Sequence, residues 1–131
     1  MAKENDSKFI NLESSAQGDV KIADEVVAVI SGYAALEVEG VAALAGNITM
    51  GVIGKVGMMT LSKGIRIHPD EENGEVRIDL AIIVKYGHSI PDICKGIQEK
   101  TKANVESMTP LKVSDVNIRI AGMETAEPSG N

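Results

Sequence analysis

The sequence predicts a two-layer α/β sandwich in which two helices pack on one face of a small mixed sheet. Apolar residues recur at helical spacing in two segments, one over 23–38 and one from Ser89 to the residue before Pro110. Two runs of alternating polarity flank a turn at 70–74, and a third such run follows the second helix at 112–121. This order of elements favours a single sheet with both helices on one side.

The first helix is predicted over residues 23–38, with short strands before and after it. Its apolar residues return every three or four positions, as expected for a helix with one buried face. Asp24 and Glu25 lie in the first turn, where the helix dipole favours negative charge. The flanking apolar runs at 20–22 and 41–45 suit strands.

A β-hairpin is predicted from the strands at 65–69 and 75–86. The turn between them, Asp-Glu-Glu-Asn-Gly at 70–74, is rich in turn-forming residues. On the second strand, every second residue is apolar: Val76, Ile78, Leu80, Ile82 and Val84. Arg77, Asp79 and Lys85 fall on the opposite face. One face of the sheet is therefore expected to be buried.

The second helix is predicted to begin at Ser89, with Pro91 and Asp92 in its first turn as an N-terminal signature. Its apolar face carries Ile90, Ile93, Cys94, Ile97, Thr101, Val105 and Met108. Its outer surface is expected to carry Lys95, Glu99, Lys102 and Glu106. Such an amphipathic helix must lie on the sheet. In the final strand, inward-facing apolar residues alternate with Asn117 and Arg119 on the other side.

The length of 131 residues fits one domain with one core. We expect that domain to span residues 19–122. Residues 1–18 and 123–131 are polar and lack periodicity, so both are predicted to be flexible tails. Within the domain, residues 46–64 combine five glycines with methionines and aliphatic residues, which predicts a mobile but apolar segment.

Composition narrows the classes of function. The formal charge of -6 disfavours a dedicated nucleic-acid binder, which needs clustered Lys and Arg, and an aromatic share of 2% leaves little for base stacking. One cysteine, Cys94, excludes an internal disulfide and suits a reducing compartment. The start of the chain does not resemble a secretory signal, and no stretch is long enough to span a bilayer. We therefore expect a cytoplasmic protein without direct membrane insertion.

No residue of the sequence is assigned a catalytic, cofactor-binding or metal-binding role. Cys94 lies on the apolar face of its helix, where a thiol is usually inert. His88 suits a plain loop position. His68 with the acidic residues at 70–72 lacks the spacing of any known metal motif and is better explained as a solvated turn. A cryptic enzyme built around His68 stays open as a third hypothesis, but the expectation is a non-enzyme without a cofactor.

The side of the sheet away from the helices is the candidate interaction face. If the predicted register is right, it carries Arg66, His68, Arg77, Asp79, Asn117 and Arg119. One interpretation is an ordinary solvated face, because half-exposed antiparallel sheets are common. The other is a surface for docking a partner or for self-association.

A second interpretation concerns the phrase at 52–57, Val-Ile-Gly-Lys-Val-Gly. It resembles the loop of KH domains that clamps single-stranded nucleic acid, with the GxxG at Gly54–Gly57. Glycines upstream disfavour the helix that should lead into such a loop, and the acidic charge disfavours RNA. A KH-like RNA-binding module is therefore the alternative from a different class.

Four sequence segments resemble those of a known protein family. They are Ile22–Val27, Ala34–Val41, Tyr86-Gly87 with Ile90, and Val116–Gly122, with Leu61–Gly64 leading into the hairpin. In this order they resemble the alkaline-shock-protein family of Gram-positive bacteria, over about residues 19–122. The resemblance implies a cytoplasmic, non-enzymatic protein of the envelope stress response and cell-wall homeostasis. In some members it also implies membrane association through a separate integral anchor protein.

The leading hypothesis is thus a scaffold or adaptor that supports envelope homeostasis through protein–protein contacts, made by the polar sheet face or by the Gly/Met segment at 46–64. The expected partner is a protein, either a membrane-associated one or a second copy of this chain in a homo-oligomer. Some relatives in the family are linked to lipid metabolism instead, so a regulator of lipid metabolism is kept as a further alternative.

Overall fold

The computed structural model describes residues 9–47 and 64–125. In chain order the elements are β1 (Phe9–Ser15), β2 (Gly18–Ala23), α1 (Asp24–Leu36), β3 (Val41–Leu44), β4 (Ile65–Asp70), β5 (Glu75–Lys85), α2 (Ile90–Met108) and β6 (Lys112–Glu124). A short 3-10 turn at Ala45–Asn47 follows β3. The predicted two-helix α/β sandwich is confirmed.

The main sheet is organised around β5. β6 pairs with β5 in parallel along residues 75–85 and so occupies one edge. The other edge is shared by two antiparallel strands, β4 opposite residues 75–80 and β3 opposite residues 82–84. The sheet is therefore mixed, as predicted, and β5 has neighbours on both sides.

Because β3 and β4 lie end to end on the same edge of β5, the chain leaves that edge and returns to it. Gly46 lies where the chain leaves this edge, and Gly64 lies where the chain returns to it. A Cβ added to Gly64, which has φ of 81°, would lie 3.1 Å from the Gly46 nitrogen, so the two backbones are in close contact. The predicted Gly/Met segment at 46–64 falls between these points, and its residues 48–63 lie outside the described part of the chain.

Both helices cover the same face of the sheet and enclose one hydrophobic core. The apolar row of β5, from Val76 to Val84, is at most 3% exposed. α1 packs against β3 and β4, and α2 packs against β6. On β6, Val116, Ile118 and Ile120 lie beside the apolar row of β5, as predicted. The Ser89 hydroxyl accepts a hydrogen bond from the Asp92 backbone N–H at 3.4 Å, which confirms the predicted start of α2.

The N-terminal prediction was wrong for residues 9–18, which were expected to belong to a flexible tail. These residues form β1 and the start of β2, an antiparallel hairpin that leads into α1. Ile10 is 1% exposed and packs into the core, and the Asn11 N–H donates to Glu71 Oε2 at 3.1 Å. Besides its pairing with β2, β1 is held by the buried Ile10, the partly buried Leu12 and the contact with Glu71, and none of these gives a periodic signal in the sequence. Residues 1–8 lie outside the description.

The C-terminal boundary also shifts. The tail was expected from residue 123, but β6 continues to Glu124. The Tyr86 N–H donates to the Glu124 carbonyl at 2.9 Å, so pairing with the end of β5 extends the strand. The pattern of alternation breaks at a bulge between Ile120 and Gly122, which is why the sequence predicts an earlier end. Residues 126–131 lie outside the described part.

Two glycines have nearly the same backbone φ but different surroundings, so alanine substitutions at these positions test how closely Ile93 of α2 packs against its neighbours. Gly40 has φ of 100° and Gly87 has φ of 99°. A Cβ at Gly40 would lie 2.7 Å from Ile93 Cδ1, whereas a Cβ at Gly87 would meet nothing within 4 Å. We expect Gly87→Ala to lower the free energy of unfolding by about 1 kcal/mol through backbone strain alone.

Gly40→Ala should lower the free energy of unfolding by about 3 kcal/mol, because overpacking against the buried Ile93 adds to the same strain. Chemical denaturation of both variants measures the difference. Equal losses would show that Ile93 does not pack against Gly40 as described.

Candidate interaction face

The structure brings all six predicted residues together on the face of the sheet that the helices leave uncovered. Across β4 and β5, Arg66 lies opposite Asp79 and His68 lies opposite Arg77. Across β5 and β6, Asp79 lies beside Asn117. Arg119 lies beside Ala81, the next residue of the same row on β5. We call these residues, Arg66, His68, Arg77, Asp79, Asn117 and Arg119, the uncovered face.

Asp79 is the centre of the uncovered face. His68 Nε2 donates to Asp79 Oδ2 at 2.9 Å, and Asn117 Nδ2 donates to Asp79 Oδ1 at 2.9 Å. Arg77 Nε lies 3.7 Å from Asp79 Oδ1. The three strands β4, β5 and β6 are thus joined by side chains as well as by backbone hydrogen bonds.

These contacts lower the pKa of the Asp79 carboxyl below its ordinary value. The hydrogen bond from Asn117 is the largest cause. Burial, the second-largest cause, opposes it, and the hydrogen bond and charge of His68 and the charge of Arg77 lower the pKa further. Asp79 is therefore ionised near neutral pH, and its oxygens are engaged by residues of the same face.

Arg66 and Arg119 stand on either side of this cluster. Both are exposed, and within residues 9–47 and 64–125 neither forms an ion pair. They line a cavity of about 360 Å³ whose other polar side chains are Asp79 and Asn117. The cavity therefore offers two guanidinium groups beside an aspartate that already has partners.

The uncovered face also concentrates one residue type. The sequence contains thirteen basic residues, of which ten are lysines and three are arginines. All three arginines, Arg66, Arg77 and Arg119, lie on the uncovered face, whereas of the ten lysines only Lys85 and Lys112, at the two ends of β5 and β6, are seen on the same side among the described strands. Arginine presents a planar fork of donors that matches carboxylates and is enriched at interfaces, where lysine is depleted.

The other residues considered for chemistry are dispersed. Cys94 is half-buried on α2, and burial raises the pKa of its thiol, which disfavours the reactive thiolate. His88 lies beside Gly40, in the segment between α1 and β3, and is not one of the residues of the uncovered face. Among the described residues, no three His, Cys, Asp or Glu side chains gather as a metal site would require. The GxxG at Gly54–Gly57 lies outside the described residues.

One side chain that matters to the sheet is not where the sequence places it. Glu106 was expected on the outer surface of α2, but its carboxylate accepts the Val113 backbone N–H at 2.8 Å. This contact joins the end of α2 to β6. The sequence offers no signal for it, because Glu106 occupies a polar position in a regular amphipathic pattern and the contact depends on how α2 lies on the sheet.

These features define a small α/β sandwich protein whose arginines are gathered on an open sheet face. The chain belongs to the alkaline shock protein 23 family, which matches residues 12–125 and has a cell envelope-related function. The match covers nearly all of the described fold, and the predicted family resemblance is thereby confirmed.

Relatives of known sequence support the same assignment. The chain is 35% identical to YqhY of Bacillus subtilis (strain 168), with 93% of this chain and 89% of YqhY covered. It is 30% identical to YloU of the same organism, over 85% of this chain and 92% of YloU. It is 27% identical to a stress response regulator gls24 homolog of Streptococcus pyogenes serotype M3, over 89% of this chain and 65% of that protein.

Among solved structures, a variant of the MamM CTD is similar in part. The TM-score is 0.46 at 17% identity, with 77% of this chain and 96% of that structure covered. A likeness at this level carries no functional conclusion. Neither of the two described helices has the length and apolar character needed to cross a membrane.

The role of Asp79 is tested by Asp79→Asn, with the exposed Asp115→Asn on β6 as the matched control. We expect Asp79→Asn to lower the free energy of unfolding by about 1 kcal/mol, because hydrogen bonds to a charged acceptor are lost at a partly exposed site. Asp115→Asn should have little effect.

The difference between wild type and Asp79→Asn should depend on pH. Because folding lowers the pKa of Asp79, its stabilisation is fully present above the ordinary value of 3.8 and is lost as the pH falls through the lower value of the folded state. Denaturation curves between pH 7 and the acid range check this. A difference that persists unchanged into acid would contradict the described contacts.

Proposed function

We propose that this protein is a non-enzymatic scaffold or adaptor of the envelope stress response, which binds a protein partner through the uncovered face. The observation that supports this most directly is the placement of all three arginines on that face. A solvated face needs only charge, and lysine supplies it as well as arginine does. The basic residues around Asp79, at the centre of the face, are arginines, and arginine favours recognition of a planar acceptor such as a carboxylate.

Electrostatics further narrows the partner. The chain carries a net charge of -6, so most of its surface repels acidic proteins. The uncovered face is the exception, because Arg66 and Arg119 are not neutralised by other described residues. An acidic partner surface would therefore be oriented toward this face and away from the rest of the molecule.

The proposal places the protein in the cytoplasm, at the inner side of the envelope. The cell envelope-related function of the family supports this location. In this proposal the partner is a membrane-associated protein, and an integral anchor protein is the form that the family resemblance favours. The contribution of this chain to cell-wall homeostasis would then depend on recruitment and not on catalysis.

Charge reversal tests the proposal. In one variant Arg66, Arg77 and Arg119 are changed to glutamate. In the matched control Lys21, Lys95 and Lys100, all exposed and away from the uncovered face, are changed to glutamate, which gives the same change in net charge. Tagged proteins are isolated from gently solubilised envelopes of a Gram-positive host, and the co-purifying proteins are quantified by mass spectrometry.

We expect the arginine variant to lose its envelope partner by on the order of tenfold, because attraction becomes repulsion at the contact. The lysine control should retain it. Thermal unfolding of both variants shows whether the fold is intact. Equal retention, or equal loss, in two folded variants would contradict docking through the uncovered face.

A further inference from the structure

The area of the uncovered face is small for a stable complex. β5 has eleven residues, so the face is about 36 Å long at about 3.3 Å per residue. Three strands at about 4.8 Å spacing give a width of about 14 Å. The product is on the order of 500 Å², whereas a typical stable interface buries about 800 Å² on each partner. A partner that docks here is expected to contact an adjoining surface as well.

The adjoining surface is the outer edge of β6. β6 has thirteen residues and pairs with β5 along one edge. No other strand of the described chain pairs with its second edge. Unpaired edges expose backbone donors and acceptors that invite another strand, and proteins usually block them.

α2 blocks the first half of this edge. The Val113 N–H donates to Glu106 Oε2 at 2.8 Å, and the Val116 carbonyl accepts from Gln98 Nε2 at 3.1 Å. Lys102 Nζ donates a hydrogen bond to the same Glu106 oxygen at 3.1 Å. The pKa of Glu106 is lowered, first by the Val113 hydrogen bond and then by Lys102, so the blocking group is a carboxylate near neutral pH.

The second half of the edge, 117–124, has no such block from the described side chains. A residue in a strand directs its N–H and carbonyl to the same side, and the side alternates along the strand. Because the Val116 carbonyl points outward to Gln98, the backbone groups of Ile118 and Ile120 also point outward. Those of Asn117 and Arg119 point toward β5.

Arg119 adds charge specificity to this open edge. Its side chain lies on the uncovered face between the two outward-facing backbone positions, and it lines the 360 Å³ cavity with Arg66. A strand added beside β6 would place alternate side chains on the uncovered face, one of them next to Arg119. Acidic side chains at those alternate positions would complement both arginines.

We propose that residues 117–124 of β6 bind an extended, acidic segment of the partner protein by β-strand addition. Backbone hydrogen bonds to Ile118 and Ile120 supply affinity, and carboxylates beside Arg119 supply specificity. A second copy of β6 is a poorer occupant, because Glu124 is the one carboxylate in this half of the strand. This inference rests on the proposed function, since it names the partner segment that the uncovered face receives.

Amide hydrogen exchange measured by NMR tests strand addition directly. The probes are two synthetic peptides of about six residues, the common length of a strand, one alternating valine with glutamate and the other alternating valine with lysine. In the free full-length protein, the amides of Ile118 and Ile120 should exchange faster than those of Asn117 and Arg119. The glutamate peptide should slow exchange at Ile118 and Ile120, and the lysine peptide should bind about tenfold more weakly.

Two variants distinguish the contribution of the Arg119 charge to peptide binding from the contribution of the backbone hydrogen bonds of β6. Arg119→Glu should reverse the preference, so that the lysine peptide binds better. Ile120→Pro removes one outward donor without removing a hydrogen bond to β5 and should abolish peptide binding, whereas Ile120→Ala, its matched control, should retain it. A reversed preference in Arg119→Glu cannot arise from misfolding, so it keeps the test valid even if Ile120→Pro fails to fold.

Several results would overturn the inference. Equal binding of both peptides would remove the role of Arg119. Protection of Ile118 and Ile120 that rises with protein concentration alone would indicate self-pairing instead. If neither peptide protects the edge while the triple arginine reversal still abolishes capture of the envelope partner, strand addition is wrong and docking on the uncovered face stands.

Discussion

β5 has strands on both edges and helices on one face, so its pleat divides eleven residues into a buried apolar row and a second row that carries Arg77 and Asp79. The buried row fixes the register of the whole sheet, because a slip by one residue would expose Val76 to Val84 and bury Arg77 and Asp79. The same constraint that forms the core therefore also assembles the uncovered face.

Hydrogen bonds between its own side chains hold the uncovered face together, and two of its arginines are exposed to solvent. Asp79 ties β4 and β6 to β5 through His68 and Asn117, and this fixes the positions of its neighbours. Arg66 and Arg119 are exposed beside it. Asp79 fixes the strands and not the two guanidinium groups, so Arg66 and Arg119, which pair with no other described residue, can pair with an acidic segment when their long side chains become ordered.

Much of this arrangement follows from local periodicity. Alternation identified β5 and the inward residues of β6, and the Ser89 signature located the start of α2. Three features could not be predicted because they depend on tertiary contacts. They are the pairing of β1, which relies on Ile10 and Glu71; the shared edge of β3 and β4; and the block of β6 by Glu106. Each involves a residue that looks ordinary in its own segment.

The central claim is that the partner binds the uncovered face and not the helices. Site-specific photo-crosslinking in living cells tests it most directly, with the crosslinking amino acid placed at Ala81 or at Ala103. Ala81 lies on the uncovered face beside Arg119, and Ala103 is exposed on α2. We expect a crosslinked envelope protein from Ala81 and none from Ala103. A crosslink to the same protein from Ala103 alone would contradict it.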